Sequence, residues 1–290
     1  MEGKEVDMTD KIGFVGLGNI GRPMAVNLVN DGFDLTVYDL YQPACEALAE
    51  LGAKVSANAA EMGRSCKVIC VCVRDDSDVE DVVCSEHGVF STARPGTIVI
   101  IHSTVRRGTI LKLADDGHKH EVPVLDVPIT GGASGAEKRS LCYMFGGPTE
   151  LLERCRPVLA VSASKIVHAG DVGMGIALKL CNNLMTYLAF VSIHEGARLA
   201  EATGLSLDLL KQVGSVNGVV TPQMMTFIEG RNLARAALDE ESFRASFAGF
   251  ASLGKKDLDA ALDLAAELEI KLPGTSCTRG LIESVFLDEY

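Results

Sequence analysis

The sequence predicts an α/β protein in consecutive parts: a doubly wound, mainly parallel sheet over residues 11–168, a long helix over 169–200, and an all-helical domain over 201–290. Three observations predict it. Short apolar runs alternate with helix-spaced segments up to residue 168, the pattern of repeated β–α units. The stretch Gly170 to Arg198 then runs apolar without a proline, and a helix of about 25 residues at about 1.5 Å per residue reaches roughly 38 Å, enough to cross a domain. Beyond residue 200 the apolar residues keep helical spacing and nothing reads as strand.

Composition bounds the functions available. The chain has 290 residues, 47% of them hydrophobic and 23% charged, which supports a large core and about two domains. A net charge of −12 argues against nucleic acid and anionic membranes as partners, and means that an anionic substrate needs a local positive site. Nine cysteines, an odd number without a regular framework and mostly within apolar runs, point to reduced, buried thiols in a cytoplasmic protein, with no metal site. Residues 1–10, MEGKEVDMTD, are polar and acidic, lack the apolar core of a signal peptide, and read as a disordered leader.

The ordered chain opens on its clearest motif. Lys11 to Val15 reads as a buried strand, Gly16-Leu17-Gly18-Asn19-Ile20-Gly21 follows, and Arg22 to Asp31 is helical. Leu35 to Tyr38 forms a second strand ending on Asp39, at the usual place for a carboxylate about 20 residues beyond the last glycine. This is a dinucleotide fingerprint: Gly16 permits the tight turn, Gly18 lets the backbone approach a pyrophosphate, Gly21 allows close helix packing, and Asp39 accepts from a ribose 2′-hydroxyl. The same carboxylate repels a 2′-phosphate, and no arginine follows it in Leu40-Tyr41-Gln42, so NAD is expected over NADP.

The alternation continues through a helix over Pro43 to Leu51, another over Ala59 to Arg64 capped by Asn58, and a buried strand over Lys67 to Val73. Val79 to Cys84 is helical, Thr97 to Ile101 a strand, Arg107 to Asp116 helical, and Val122 to Leu125 and Cys142 to Phe145 are extended. Thr149 to Leu159 is helical, and Lys165 to His168 closes the sheet. Together these units make a Rossmann-type domain with its ligands at the strands' carboxyl ends. Three such ends carry donors: Val73-Arg74-Asp75-Asp76, His102-Ser103-Thr104 and Asp126 to Gly132. Val73, Arg74 and Thr104 are expected beside the cofactor. Ser103 and the backbone N–H groups of Thr130-Gly131-Gly132 suit a carboxylate.

In the long helix Lys179 and Asn183 stand at i, i+4 on one face among Ala177, Leu180, Leu184 and Leu188. A lysine in apolar surroundings is paired, snorkelling, or partly deprotonated for chemistry. Lys179, Asn182, Asn183, His194 and Glu195 interrupt the apolar run, which reads as a buried central helix rather than a membrane span. Beyond it, Ser206 caps a helix over Leu207 to Val213, further helices run over Gln223 to Glu229 and Ala251 to Leu268, and Leu272-Pro273-Gly274 breaks the chain before a last helix over Thr278 to Leu287. The apolar content of these helices predicts a homo-oligomer, without fixing its order.

Five segments together resemble the β-hydroxyacid dehydrogenases: GFVGLGNIG, the His-Ser-Thr after a strand, DVPITGGASGAE, the G-x-x-G-x-G-x-x-x-K-x-x-x-N run from Gly170 to Asn183, and Lys256-Asp257-Leu258. That family includes 3-hydroxyisobutyrate and tartronate-semialdehyde dehydrogenases, with phosphogluconate dehydrogenases as larger relatives, and the match covers nearly the whole chain from Lys11. The resemblance implies that Lys179 is the catalytic acid/base and that Asn183 holds the substrate. It also implies that Ser103, Thr130, Gly131 and Gly132 bind the substrate carboxylate and that Lys256 approaches the cofactor. The chain departs from the family pattern at Ile101-His102, Arg74, Thr130 and Gly249. At these strand ends either His102 and Arg74 face the substrate and select an additional polar or acidic group, or His102 is hydrogen-bonded within the structure and Arg74 lies on the rim.

The chemistry follows from the residues as well. Oxidising a hydroxyacid requires a base within hydrogen-bond reach of the hydroxyl while hydride leaves the carbinol carbon for a nicotinamide. Lys179 is the best candidate, and desolvation beside a positive nicotinamide lowers a lysine from its ordinary value near about 10.4. The reading is NAD-dependent oxidation of a small anionic 3-hydroxyacid, or the reverse reduction. The alternatives are an imine or keto reductase on the same scaffold and a non-catalytic dinucleotide-binding protein. The anion turn together with Lys179 opposes the first, and the joint presence of Lys179 and Asn183 opposes the second.

Overall fold

The computed structural model describes residues 6–289. The chain divides into two compact units between Lys179 and Leu180. The first is built on β1 (Lys11–Val15), α1 (Gly21–Asn30), β2 (Asp34–Tyr38), α2 (Gln42–Ala49), β3 (Lys54–Val55), α3 (Ala59–Ser65) and β4 (Val68–Val71). It continues through α4 (Asp76–Cys84), β5 (Ile98–Ile101), α5 (Arg107–Lys119), β6 (Val124–Asp126), β7 (Ile129–Thr130), α6 (Gly132–Glu137), β8 (Leu141–Gly146), α7 (Thr149–Ala160) and β9 (Ala163–Gly170). The sheet order is β3-β2-β1-β4-β5-β6-β8-β7, with β9 also paired to β8. From β3 to β6 every pairing is parallel, β8 runs antiparallel to β6 and β7, and β9 returns parallel to β8. The strand order reverses beside β1, and a crevice opens at such a switch point outside the carboxyl ends of the strands.

The central strands read as continuous apolar runs because they are covered on both faces. All four residues of β4 (VICV) and all four of β5 (IVII) are buried. Side-chain caps start the helices where the sequence offers them: Asn58 accepts from the Glu61 amide, and Asp75 from the Asp78 amide, which begins α4 at Asp76, ahead of the expected Val79.

The long helix α8 spans Met174–Ala202, four residues later at each end than the apolar stretch Gly170 to Arg198, because β9 holds the chain extended to Gly170. By length and composition α8 is able to cross a membrane, yet Lys179, Asn183 and His194 are among its buried residues. The second unit continues with α9 (Leu207–Asn217), α10 (Pro222–Ala237), α11 (Glu240–Glu267) and α12 (Pro273–Leu287). Its cores gather Tyr187, Val191, Leu258, Ile282 and Phe286 in one cluster and Ile193, Val220, Met224 and Ile228 in another.

Four expectations are corrected. The leader does not extend to residue 10: residues 1–5 lie outside the described residues, but Val6 is 2% exposed in the main core, its amide donates to the Arg154 carbonyl, and Asp10 pairs with Lys67. A valine with an apolar pocket is worth about 1.5–3 kcal/mol buried, enough to order the turn after it. Pro273-Gly274 does not break the chain ahead of the last helix but forms its first turn, where a missing N–H costs nothing. The Thr130-Gly131-Gly132 turn also starts a helix, α6. Not all thiols are buried: Cys84, Cys181 and Cys277 are exposed, because each falls on the outward side of its helix.

Candidate functional site

The glycine turn joins β1 to α1 at the switch point. Gly16 has φ +92°, and a Cβ there would lie 2.2 Å from the Cys72 carbonyl oxygen, while a Cβ on Gly21 would lie 2.0 Å from the Gly16 carbonyl oxygen. Neither position admits a side chain. A Cβ on Gly18, by contrast, meets nothing within 4 Å, so the backbone there faces open space. Asp39, at the end of β2, accepts from the Leu17 amide at 2.6 Å and the Tyr41 amide at 2.7 Å. The carboxylate thus ties the first glycine turn to the second strand and keeps lone pairs for a ribose hydroxyl. These residues fit a dinucleotide: an unobstructed glycine backbone for the pyrophosphate and an acceptor at the strand end.

Two of the three neighbouring strand ends are tied to each other. The Ser103 hydroxyl accepts from the Val73 amide at 2.8 Å and donates to the Val73 carbonyl at 2.9 Å, locking the loop after β4 to the loop after β5. Thr104 follows at the same edge, half-buried. Arg74 is exposed and forms a two-pronged pair with Asp78, at 2.7 and 3.0 Å. Thr130 ends β7, and Gly131 and Gly132 follow at φ +126° and +63°, both exposed.

His102 is not at the crevice, which corrects its expected place against the substrate. It is 3% exposed, its ring lies 6.3 Å from that of Phe14 and 5.4 Å from that of Tyr143, and its Nδ1 is 2.8 Å from the Val127 carbonyl. Because that oxygen only accepts, Nδ1 carries the proton, and Nε2 faces a cavity of about 10 Å³ lined by Phe14, Cys70, Tyr143 and Ser162, room for no more than one water. Burial pushes the ring down to about 4. The alternation of β5 explains the placement: the residue after Ile101 points into the core face.

On α8 the residues Ile176, Lys179, Leu180, Asn183 and Tyr187 form one buried stripe, with Lys179 9% and Asn183 8% exposed. Within the second unit the Asn183 amide donates to Asp257 Oδ2 at 2.7 Å, and the Tyr187 hydroxyl donates to the same oxygen at 3.1 Å. Lys256 Nζ is 3.2 Å from Asp257 Oδ1, whereas Lys255 is paired with Glu283 on the outer side. Two carboxylates absent from the expected set therefore matter. Asp257 holds the Asn183 side chain, and Asp126 accepts from the amides of Gly173 and Ile176, both at 2.7 Å, at the start of α8. The signal for Asp126 was a carboxylate in an otherwise apolar stretch, and that for Asp257 its place beside Lys256 in the Lys256-Asp257-Leu258 segment.

The fold and the glycine turn define a dinucleotide-binding protein of the doubly wound class. More particularly, the chain belongs to the family of the NAD binding domain of 6-phosphogluconate dehydrogenase, whose model matches residues 11–170, and with it to the β-hydroxyacid dehydrogenases. An uncharacterized oxidoreductase of Mycobacterium tuberculosis is 33% identical over 271 residues, covering 91% of this chain and 89% of its own length. The 2-(hydroxymethyl)glutarate dehydrogenase of Eubacterium barkeri is 31% identical over 276 residues, covering 94% and 88%. Among solved structures, the 3-hydroxyisobutyrate dehydrogenase of Mycobacterium tuberculosis, studied with L-serine, superposes with a TM-score of 0.81 at 30% identity, covering 95% of this chain and 93% of that one.

Proposed function

We propose that the protein oxidises a small 3-hydroxyacid with NAD, using Lys179 as the general base, with the reverse reduction running through the same groups. The observation that carries this reading is a lysine 9% exposed sharing a helix face with Asn183, in a chain that also has the dinucleotide turn. Bound NAD supplies the hydride acceptor. Lys179 takes the hydroxyl proton as the carbinol carbon becomes a carbonyl, and returns it in the reverse direction. Asn183, one N–H of its amide held by Asp257, keeps the second N–H to donate to the substrate's hydroxyl oxygen. Ser103, once its O–H turns from the Val73 carbonyl, and the backbone of Thr130, Gly131 and Gly132 take the substrate carboxylate; at φ +126° and +63° the two glycines turn their amides in a way other residues rarely allow. Leu17 to Ile20, Val73, Arg74 and Thr104 border the cofactor, Asp39 selects NAD over NADP, and Lys256 is assigned to the cofactor by the family resemblance.

The relatives named for hydroxyacids support this substrate class. In this reading residues 11–168 bind the cofactor, 169–200 carry the catalytic lysine, and 201–290 form the all-helical C-terminal domain. The protein works in the cytoplasm as a homodimer or homotetramer, without nucleic-acid or membrane partners, in keeping with its net charge of −12.

The test is NADH formation at about pH 9 over 3-hydroxyisobutyrate, 3-hydroxypropionate, glycerate, serine, threonate, phenylserine and 2-(hydroxymethyl)glutarate, with NADP in parallel. Turnover of one compound that disappears in Lys179→Met supports the assignment. Full turnover in that variant removes Lys179 as the base, and silence across the panel with reduction of a cyclic imine by NADPH replaces the reading with a reductase.

A further inference from the structure

Asp126 ends β6 at the carboxyl edge of the sheet and is completely buried. A carboxylate at 0% exposure is costly unless its oxygens are used, and here both are: Oδ1 accepts from the Gly173 amide and Oδ2 from the Ile176 amide, each at 2.7 Å. These amides belong to the N–H groups at a helix start that have no partner within the helix. The two amides are three residues apart, so a single planar group reaching both sets the rotation of the first turn as well as its position.

The surroundings are cut to fit this contact. Gly146, the cross-strand partner of Asp126, could not carry a Cβ, which would lie 2.3 Å from Asp126 Oδ1. On the helix side, a Cβ on Gly175 would lie 2.4 Å from the Met144 carbonyl oxygen and 2.5 Å from that of Asp126. The start of α8 thus rests on the backbone of β6 and β8 with the carboxylate between. Burial pushes the Asp126 carboxyl up, to about 6, against the pull of the amides, so the carboxylate form is held at neutral pH by the helix start itself.

We propose that Asp126 is a positioning residue for the reaction: its carboxylate fixes the height and rotation of the first turn of α8 and thereby the place of Lys179, one turn further along. Lys179 follows Ile176 by three residues, a rise of about 4.5 Å, on the same buried stripe. A rotation of the first turn is carried directly to the lysine, and displacement of a catalytic group by about 1 Å costs on the order of 100-fold in rate. This inference rests on the assignment of Lys179 as the base.

Asp126→Asn is the informative variant. The amide keeps the shape but offers one acceptor oxygen, so one of the two helix amides then faces an N–H donor. It also removes a buried charge, so its effect on folding is opposed by a gain and its effect on alignment is not. With 3-hydroxyisobutyrate, or whichever acid of the panel is turned over, kcat is expected to fall about 10–100-fold with the melting temperature and NAD Kd near wild type. The pH–rate limb that depends on Lys179 is expected to move, and amide exchange to quicken at Gly173 and Ile176 but not in the middle of α8.

Wild-type kcat and pH profile in Asp126→Asn overturn the proposal, as does a loss of kcat matched by equal losses of NAD binding and thermal stability. Should the variant not fold, wild-type amide exchange decides: core-like protection of Gly173 and Ile176 supports the clamp, and loop-like exchange overturns it. Lys179→Met, measured alongside, separates the two claims. If it retains activity the base assignment falls and the positioning role with it, whereas an inactive Lys179→Met beside a normal Asp126→Asn rejects the positioning role alone.

Discussion

The Asn183 side-chain amide donates to Asp257 Oδ2 at 2.7 Å, and this bond decides which end of the amide faces away from α11. With one N–H engaged by the carboxylate and its Oδ1 accepting from Asn182 at 3.3 Å, Asn183 keeps its second N–H for an acceptor such as a substrate's hydroxyl oxygen. Asp257→Ala frees the amide to turn and leaves the buried Tyr187 hydroxyl without its acceptor. The expected outcome is a loss of about 1–3 kcal/mol in stability and a rise in hydroxyacid KM larger than any rise in NAD KM. Denaturant titration and initial rates check both, and an unchanged substrate KM removes Asp257 as the group that orients Asn183.

Asp39 has two separable jobs. Its carboxylate binds the amides of Leu17 and Tyr41, and in the proposed function it also accepts from a ribose hydroxyl. Asp39→Ala is expected to weaken NAD by about 10–100-fold, the worth of a charge-assisted hydrogen bond, and to narrow the preference over NADP because the charge that repels a 2′-phosphate is gone. Dissociation constants for both cofactors, taken by fluorescence, read this directly. Equal weakening of NAD and NADP leaves Asp39 only the turn.

His102 makes stability depend on pH without touching specificity. The ring is held down to about 4 by burial, below an ordinary histidine at about 6.5. As pH falls the unfolded chain takes up the proton first, so stability is full above about 6.5 and is lost toward about 4. Between pH 6.5 and 5 the loss is about 2 kcal/mol. His102→Leu, which leaves the Val127 carbonyl without its donor, is expected to be about 1–3 kcal/mol less stable at pH 7.5 but to lose less on acidification. Urea titrations at two pH values compare the slopes. The order of kcat/KM across the hydroxyacid panel is expected to stay as in wild type, and a changed order would restore His102 as a selector.

The helical unit bears large exposed apolar side chains, among them Met185, Leu199, Val213, Val216, Leu233 and Phe250. Exposure on this scale suits burial against a second copy. Light scattering is expected to give a dimer or tetramer, and Leu199→Glu with Val216→Glu to lower the order. A wild-type monomer at micromolar concentration would end the oligomer proposal.

Much of the first unit was legible because its signals are local. The turn from Gly16 to Gly21 needs glycine where backbones meet, at Cys72 and at its own first residue, and β4 and β5 need unbroken apolar runs because both faces are covered. Asn58 and Ser206 marked helix starts through bonds that span three residues. The longer extents of α10 and α11 were less visible, since exposed leucines and phenylalanines blur the helical stripe.

By itself the sequence determined what depends on neighbours along the chain: strand, glycine turn and helix in order, an acidic end to the second strand, and a lysine and an asparagine one turn apart on an apolar helix. Only the tertiary structure decided what depends on partners far away. Asp126 meets Gly173 and Ile176 across 47 and 50 positions, and Asp257 meets Asn183 across 74. The alternation of β5 turns His102 to the core face, but the carbonyl that takes its N–H lies 25 residues on, at Val127. Burial makes the difference: the worth of a charged or titratable side chain is set by the groups that surround it once water is gone, and those groups are chosen by the fold.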